Sequence, residues 1–544
     1  MNTKNLFFAL LASMTALTAT AQETYQDTKL IGNDLNGTAR YVGMGGAMEA
    51  LGADISVINS NPAGIGLFRR SSGSVSFGLV SQDGASSFKY GNKTNASFDQ
   101  AGFVYSMRDG RRTFINFGFN YHKSKNFDYI LNAASGLNGA SQHKLSYMKA
   151  LANENNLDKT SSGWRGKFAY TSQLDNLYYN TLMMTSSDGF FYNDASRYEF
   201  GRAETGYIGE YNFNTSVNVN DRVYLGITIG IHDVHYTGHS LYNEALVNLN
   251  NQTVGDITVN DERRITGTGY NASFGIIFRP VDASPFRIGL SVTTPTWYDL
   301  KTSNYTYLIN NTKADGGGKL QGDYPNYTTG ESYEFKLFTP WKFGVSLGHT
   351  VGNYLALGAS YEYADYSRLD TRVNDGYDVD YWGDVYEHSS SDEPMNRHTR
   401  ETLKAVSTLK IGAEAKVMPN LAVRAGYNYV SPMFKKEGYK DGNIDSYGSN
   451  YSSATDYTNW EATNRYTVGV GYTLGKMSFD LAYQYAQTNG KFHPFADSYL
   501  DYTYPGQDSN GNDVTMTESL DNYANAVKVS NKRNQLLLTL TYRF

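Results

Sequence analysis

The chain has no cysteine among its 544 residues, which removes disulfides as a source of stability and leaves hydrogen bonding and burial in their place. After residue 21 it also lacks any run of the ~18 apolar residues that a membrane helix needs, and its mean hydropathy is −0.50. That absence leaves a membrane barrel open, because barrel strands alternate lipid-facing and lumen-facing side chains and average to moderate hydropathy. A basic stripe is missing too. With 47 Lys and Arg against 53 Asp and Glu the net charge is −6, which argues against a nucleic-acid partner. No serine, histidine and acid arrangement stands out as catalytic, so the chain is not expected to be an enzyme. Gly43-Met44-Gly45-Gly46 lacks the preceding strand and the Lys-Ser/Thr pair of a phosphate-binding loop, and no cofactor is expected.

What is abundant is aromatic. The 46 Tyr and 27 Phe are a load that girdles at two membrane interfaces would use. The first residues, with Lys4, an apolar run from Leu6 to Ala12, and Ala19-Thr20-Ala21 before Gln22, have the pattern of a secretory signal peptide over residues 1–21. Export is therefore expected.

From Ser72 onward the dominant signal is period-2 alternation. It is clearest at Val223, Leu225, Ile227, Ile229 and Ile231 on one face, with Tyr224, Gly226, Thr228, Gly230 and His232 on the other. Fourteen such segments are predicted, near 73–80, 98–107, 112–121, 204–219, 222–236, 264–279, 285–293, 332–349, 353–366, 403–417, 420–430, 464–474, 477–487 and 534–544. Tight turns join alternate pairs, at Arg108-Asp109-Gly110-Arg111, Asn220-Asp221, Val281-Asp282-Ala283-Ser284, Val351-Gly352-Asn353, Met418-Pro419-Asn420 and Leu474-Gly475-Lys476. All other connections are long: 81–97, 122–203, 237–263, 294–331, 367–402, 431–463 and 488–533. An even strand count with short connections at one end and long ones at the other is the asymmetry of an outer-membrane barrel. A soluble sandwich or propeller has no reason to gather its long loops at one end. Within 122–203, Leu145, Met148, Leu151 and Ala152 fall at helical spacing, so a short amphipathic helix is expected there, able to order the loop or cap the mouth. The last strand ends on Tyr542-Arg543-Phe544, and an aromatic terminus resembles the signal read by the barrel-assembly machinery.

One stretch is unlike the rest. Residues 37–68 are apolar and glycine-rich, too short to fold alone, and must pack tightly against something else. Gly43-Met44-Gly45-Gly46-Ala47, then Leu51-Gly52-Ala53-Asp54-Ile55-Ser56, then Asn61-Pro62-Ala63-Gly64 resemble, in order, the G-x-G-x-A, A-D-D-A-S and N-P-A-G pattern of the FadL/TodX family of outer-membrane transporters for hydrophobic compounds. The middle block departs, with Asp54 as its single acidic residue. The resemblance implies an all-β, 14-stranded antiparallel transmembrane barrel over residues 72–544, closed by an N-terminal hatch over 22–71. It implies passive outer-membrane transport of long-chain fatty acids or other hydrophobic small molecules, with a sideways exit through a gap in the wall. Gly43, Gly45, Gly46, Asp54, Asn61, Pro62, Ala63 and Gly64 become hatch and gating candidates. Partners would be the hydrophobic ligand, outer-membrane lipids and the assembly machinery, with the barrel a monomer.

Other classes keep a foothold. A FadL-like barrel can be an accessory or scaffold subunit, and some outer-membrane barrels are hydrolases. His232 and His235 suggest metal or haem, but residues three apart on a strand point to opposite faces. The acidic runs Asp375, Asp378, Asp380, Asp384 and Asp508, Asn510, Asp513 have oxygen ligands for calcium without the spacing of an EF-hand loop, and read as solvated loops.

Overall fold

The computed structural model describes residues 23–152, 157–160, 163–166, 172–181, 192–248, 250–312, 327–383, 385–441, 444–446, 448, 451–507 and 513–544. The expected export leader, residues 1–21, lies outside the described residues. None of the described helices is long and apolar enough to cross a membrane, so crossing falls to the strands.

Fourteen strands close into one antiparallel barrel: β1 (Ser72–Asp83), β2 (Thr94–Arg108), β3 (Phe114–Asn126), β4 (Asp194–Val219), β5 (Val223–Val247), β6 (Thr253–Phe278), β7 (Arg287–Thr293), β8 (Lys342–Val351), β9 (Leu355–Asp365), β10 (Ala405–Met418), β11 (Leu421–Val430), β12 (Tyr457–Leu474), β13 (Met477–His493) and β14 (Val527–Arg543). Each pairs with its successor, and β14 pairs with β1 from Ser72↔Arg543 to Asp83↔Lys532, which removes any free edge. The alternation expected from the sequence is realised. Leu225, Ile227 and Ile229 on β5, Phe343, Val345 and Leu347 on β8, and Leu536, Leu538 and Leu540 on β14 are exposed, while Tyr224, Thr228, Leu537 and Thr539 between them are buried. An outward apolar belt around a closed ladder is the solution that hydrocarbon solvent demands. The six short connections all lie at one end, with Asn220 and Asp221 in the left-handed region at φ 53° and 60°.

The loop end departs from expectation. Connections predicted as irregular are largely strand. β4, β5 and β6 are 26, 25 and 26 residues long, more than twice the ~9–11 residues that cross a bilayer. Trp297–Asn310 and Tyr327–Phe338 carry the β7 and β8 pairing onward in the same register, from Thr293↔Lys342 to Trp297↔Phe338. The single strand expected over 332–349 is therefore two, broken where Pro295 and Pro340 fall opposite each other and neither has an amide to donate. Two hairpins, Asp370–Val379 with Val385–Ser391 and Ser498–Gln507 with Asp513–Asn522, replace the expected loops. Above the belt the outward face meets water while the inward face packs apolar side chains such as Val234, Tyr236, Ile257 and Val259, so the apolar parity is the reverse of that in the belt while the ladder continues.

Among the described residues four helices complete the loop end: α1 (Thr24–Leu30), α2 (Gln142–Ala152), α3 (Gln173–Thr181) and α4 (Glu393–Thr402). The expected helix is α2, but it is buried on most of its surface, Gln142, His143, Ser146 and Lys149 included, and so is not amphipathic. Leu145 and Met148 are buried, and Leu145 joins Leu174, Leu177 and Tyr178 of α3 and Tyr198, Phe200, Tyr242 and Phe492 of the wall in one apolar cap. Glu244 accepts from the amides of Gln142 and His143 at 3.0 and 3.3 Å, satisfying the start of α2.

Candidate functional site: the hatch and the cavity above it

Residues 23–71 lie within the barrel, and the glycine-rich stretch folds into three short capped pieces. Thr38 caps the helix Ala39–Gly43, Asp54 caps Ile55–Val57, and Asn61 caps Pro62–Leu67 with Pro62 in the first turn. Both Asp54 oxygens also accept from the Thr38 hydroxyl at 2.9 Å, tying two caps together. Gly45 and Gly46, at φ 64° and 80°, make a turn that a side chain would strain. Gly43 and Gly64 are needed for another reason: Gly43 lies against Gly469, and a Cβ on Gly64 would collide with Val57. Ala63 is fully buried with Tyr224 and Ile277.

The wall is shaped for this segment. Seven consecutive strands, β5 to β11, each place a glycine against it: Gly226 under Pro62, Gly275 and Gly289 under Asn61, Gly348 under Ala50, Gly358 under Ala47, Gly412 under Met44 and Gly426 under Gly45. At every one of them a Cβ would stand under 3.0 Å from a hatch atom. The hatch therefore lies directly on the ladder with no wall side chain between, its backbone at five of the strands and the Asn61 side chain at Gly275 and Gly289. Its carbonyls are met by wall side chains. Asn116 donates to Ile65 O at 2.8 Å, Asn428 to Gly45 O at 3.3 Å and Thr467 to Gly43 O at 3.2 Å, and Thr539 accepts from the Ala39 amide at 2.7 Å. Buried backbone groups of the hatch thus find partners across the lumen.

Charge fastens it as well. Arg40 reaches β10 as a fork, 2.9 Å from each oxygen of Glu414, and Arg424 links Glu414 at 2.6 Å to Asp480 at 2.7 Å. Glu49 takes Lys410 at 2.8 Å, and Asn59 donates to Glu210 at 2.6 Å. Glu210 is in turn held by His122 at 2.9 Å and His232 at 3.2 Å. Of these partners the sequence points to His232, as a metal candidate; His122, Glu210, Lys410 and Asp480 were not singled out. Their signal was present: a charged residue at lumen parity in an apolar strand.

Above the hatch is a cavity of about 400 Å³. One side is aromatic, with Tyr25 stacked on Phe434 at 5.3 Å and Phe127, Tyr129, Tyr457 and Trp460 nearby. The other side is charged. Lys29 meets Glu204 at 3.0 Å, Arg202 meets Asp456 at 2.6 Å, and Asp34 sits between Arg533 at 3.5 Å and Arg465 at 3.9 Å. Burial opposes the charged form of Asp34, but those two guanidiniums outweigh it and hold the carboxyl below its usual range. Burial lowers the Lys29 ammonium despite Glu204. Lys125, which donates to Ile31 O, and Lys342 line the same space; neither has a carboxylate within 4 Å among the described residues, and the nearer anions are Asp34 and Glu204 for Lys125 and Glu362 and Glu210 for Lys342. The helix α1 roofs it. Thr24 meets Thr399 of α4 at 2.8 Å, and Asp27 accepts from Thr371 at 2.6 Å.

The wall splits beside this cavity. The β2–β3 ladder runs only from Gln100↔His122 to Arg108↔Phe114. Beyond it Thr94–Ser97 pair with β1 alone, Lys123, Lys125 and Asn126 pair with β4 alone, and both strands bulge, at Asp99 and Ser124. Asn36 of the hatch bridges the split, donating to Asp99 at 2.9 Å and to Lys123 O at 3.0 Å.

No protein-family model and no curated protein matches the chain. Solved structures do. The Ralstonia pickettii toluene transporter TbuX is 15% identical with a TM-score of 0.45, over 94% of this chain and 99% of that one. A Pseudomonas aeruginosa FadL homologue gives 14% and 0.46 over the same shares, and the Pseudomonas putida toluene transporter TodX 11% and 0.43. The chain is similar to FadL- and TodX-type barrels. The fold assignment itself rests on the closed fourteen-strand ladder and the segment inside it.

The remaining candidates separate cleanly. His232 is buried on Glu210 while His235 is half-exposed beside Asp233, on opposite faces as strand geometry requires. In the first acidic run Asp378 pairs with His388 at 2.9 Å and Asp380 caps the Trp382 amide at 2.9 Å; Asp384, Asp508 and Asn510 lie outside the described residues. Tyr542 and Phe544 are exposed at the turn end, ring to ring at 5.1 Å, with the Phe544 amide on Ser71 O.

Proposed function

We propose that this barrel is an outer-membrane channel for the passive transport of hydrophobic small molecules that carry an anionic head, long-chain fatty acids among them. The observation that carries the reading is the cavity above the hatch, aromatic on one side, with Lys125 and Lys342 on the other and no carboxylate within 4 Å of either among the described residues. An acyl chain gains about 0.8 kcal/mol per buried CH₂ against the aromatic side. A bare hydrocarbon would leave the two ammoniums facing only the carboxylates of Asp34, Glu204, Glu210 and Glu362, none of them within 4 Å. The split between β2 and β3, held by Asn36, supports a sideways exit from the cavity into the bilayer, and Gly43, Gly45, Gly46, Asp54, Asn61, Pro62, Ala63 and Gly64 are the hatch residues whose rearrangement would open the way. A channel of this kind needs no reacting group.

A scaffold role is the second reading, favoured by one observation: Tyr381 and Trp382 at the tip of an outer hairpin are 95% and 83% exposed, as in a surface awaiting a partner. Mass spectrometry of lipids extracted from gently purified protein, followed by uptake in a deletion strain, separates the two. A co-purifying acyl anion and reduced uptake support transport. No such ligand together with unchanged uptake favours the scaffold, and hydrolysis of an added ester would point to an enzyme.

A further inference from the structure

The outer wall is uneven where β2, β3, β4 and β5 run side by side. Thr215 on β4 faces outward between Phe117 of β3 and Ile227 of β5, and a small residue between large ones leaves a dent. It holds about 590 Å³ and is walled by Phe103, Phe117, Phe119, Phe213, Ile227 and Ile229. At the foot of the same wall the charge changes sign. The β2–β3 turn carries Arg108, Arg111 and Arg112, the hatch enters β1 through Arg69 and Arg70, and the β4–β5 turn adds Arg222, all six exposed. Against them stand Asp109, Asp221 and Asp282, of which Asp221 is taken by Arg69 and Asp282 by Arg222 at 3.3 Å. No carboxylate among the described residues pairs with Arg70, Arg111 or Arg112. A cationic cluster on a chain of net charge −6 is a local feature that overall composition does not produce.

The dent and the arginines share one side of the wall: Phe117 is on β3 and Arg112 in the turn just before it, five residues and so at most roughly 16 Å apart. We propose that this face binds an anionic phospholipid of the leaflet at the turn end, with one acyl chain in the dent and the phosphate on Arg111 and Arg112. The inference rests on the reading of the chain as a membrane barrel. A guanidinium pair offers a phosphate forked donors that water alone would otherwise satisfy. Free phosphate would have no use for the dent, and an uncharged lipid none for the arginines. The combination selects a molecule with both parts.

Full-length protein in a neutral detergent, titrated with phosphatidylglycerol or phosphatidylcholine and observed by native mass spectrometry, tests this. Wild type should retain phosphatidylglycerol preferentially. The Arg111→Gln/Arg112→Gln variant should lose that preference about tenfold or more, given the attraction that each surface cation has for anionic lipid. Thr215→Trp, which fills the dent and leaves every arginine in place, should weaken retention as well. Equal retention of both lipids by wild type overturns the proposal. So does loss in the arginine variant with none in Thr215→Trp, which would mean diffuse attraction and no built site. Insertion into phosphatidylcholine vesicles, scored separately for each variant, reports on the barrel itself: failure there strikes the barrel reading, whereas insertion without lipid preference strikes only this one.

Discussion

At the residue scale the hatch is governed by what the wall omits. A Cβ at Gly358 would meet the Ala47 carbonyl, so Gly358→Val has to push hatch backbone off the ladder. The expected cost is about 1–3 kcal/mol, the usual range for overpacking, together with raised ion conductance in planar bilayers. Gly73→Ala, where the nearest atom is 3.8 Å away, should leave conductance at background; equal leakage from both variants would count against a glycine seat. Asp27 makes a second residue-scale case. Burial pushes its carboxyl well above the usual range, opposed by the Thr371 hydroxyl and reinforced by Glu23 and Asp392. The folded state then holds the proton more tightly than the unfolded chain does, so this contribution to stability is complete below about pH 4 and fades as pH rises through the raised folded value. Asp27→Asn should flatten that part of the melting-temperature profile, and a profile parallel to wild type would refute the assignment. The hatch glycines were legible because they crowd into one stretch. The wall glycines were not, because each strand contributes one and only closure of the barrel lines them up.

At the element scale the hatch is a clamped segment, and the clamp can be loosened at one point. Arg40→Ala removes the fork on Glu414 while Arg424 still neutralises that carboxylate, so the loss should be about 1–3 kcal/mol, below that of a fully orphaned buried charge. Hydrogen exchange should accelerate over residues 37–68 and stay unchanged in β10 and β11; acceleration throughout would mean that Arg40 supports the barrel and not the hatch alone. The fourteen strands were readable where the membrane imposes alternation, as at Leu225, Ile227 and Ile229. Beyond it that alternation ends, and 237–263 reads as loop although β5 and β6 continue to Val247 and from Thr253. The break at Pro295 and Pro340 was missed for a related reason. A proline's missing amide matters only against a particular partner, and sequence does not show that the partner is another proline.

At the scale of the whole molecule the cavity is closed from two sides, below by the hatch and above by α1 under α4. Entry from the loop end therefore requires α1 to move, unless molecules reach the cavity by another way. The absence of native cysteine allows a direct test. The Thr24 and Thr399 hydroxyls are 2.8 Å apart, close enough for a disulfide to form with a small adjustment. In the oxidised Thr24→Cys/Thr399→Cys variant uptake should drop to the level of the deletion strain, and reduction should restore it, while the Thr24→Ser/Thr399→Ser control transports as wild type in either condition. Restoration on reduction matters most, because a variant that simply misfolds would not regain activity. Undiminished uptake with the disulfide verified by mass spectrometry would remove α1 from the path and leave the split between β2 and β3, where Asn36 stands, as the opening through which both entry and exit must pass.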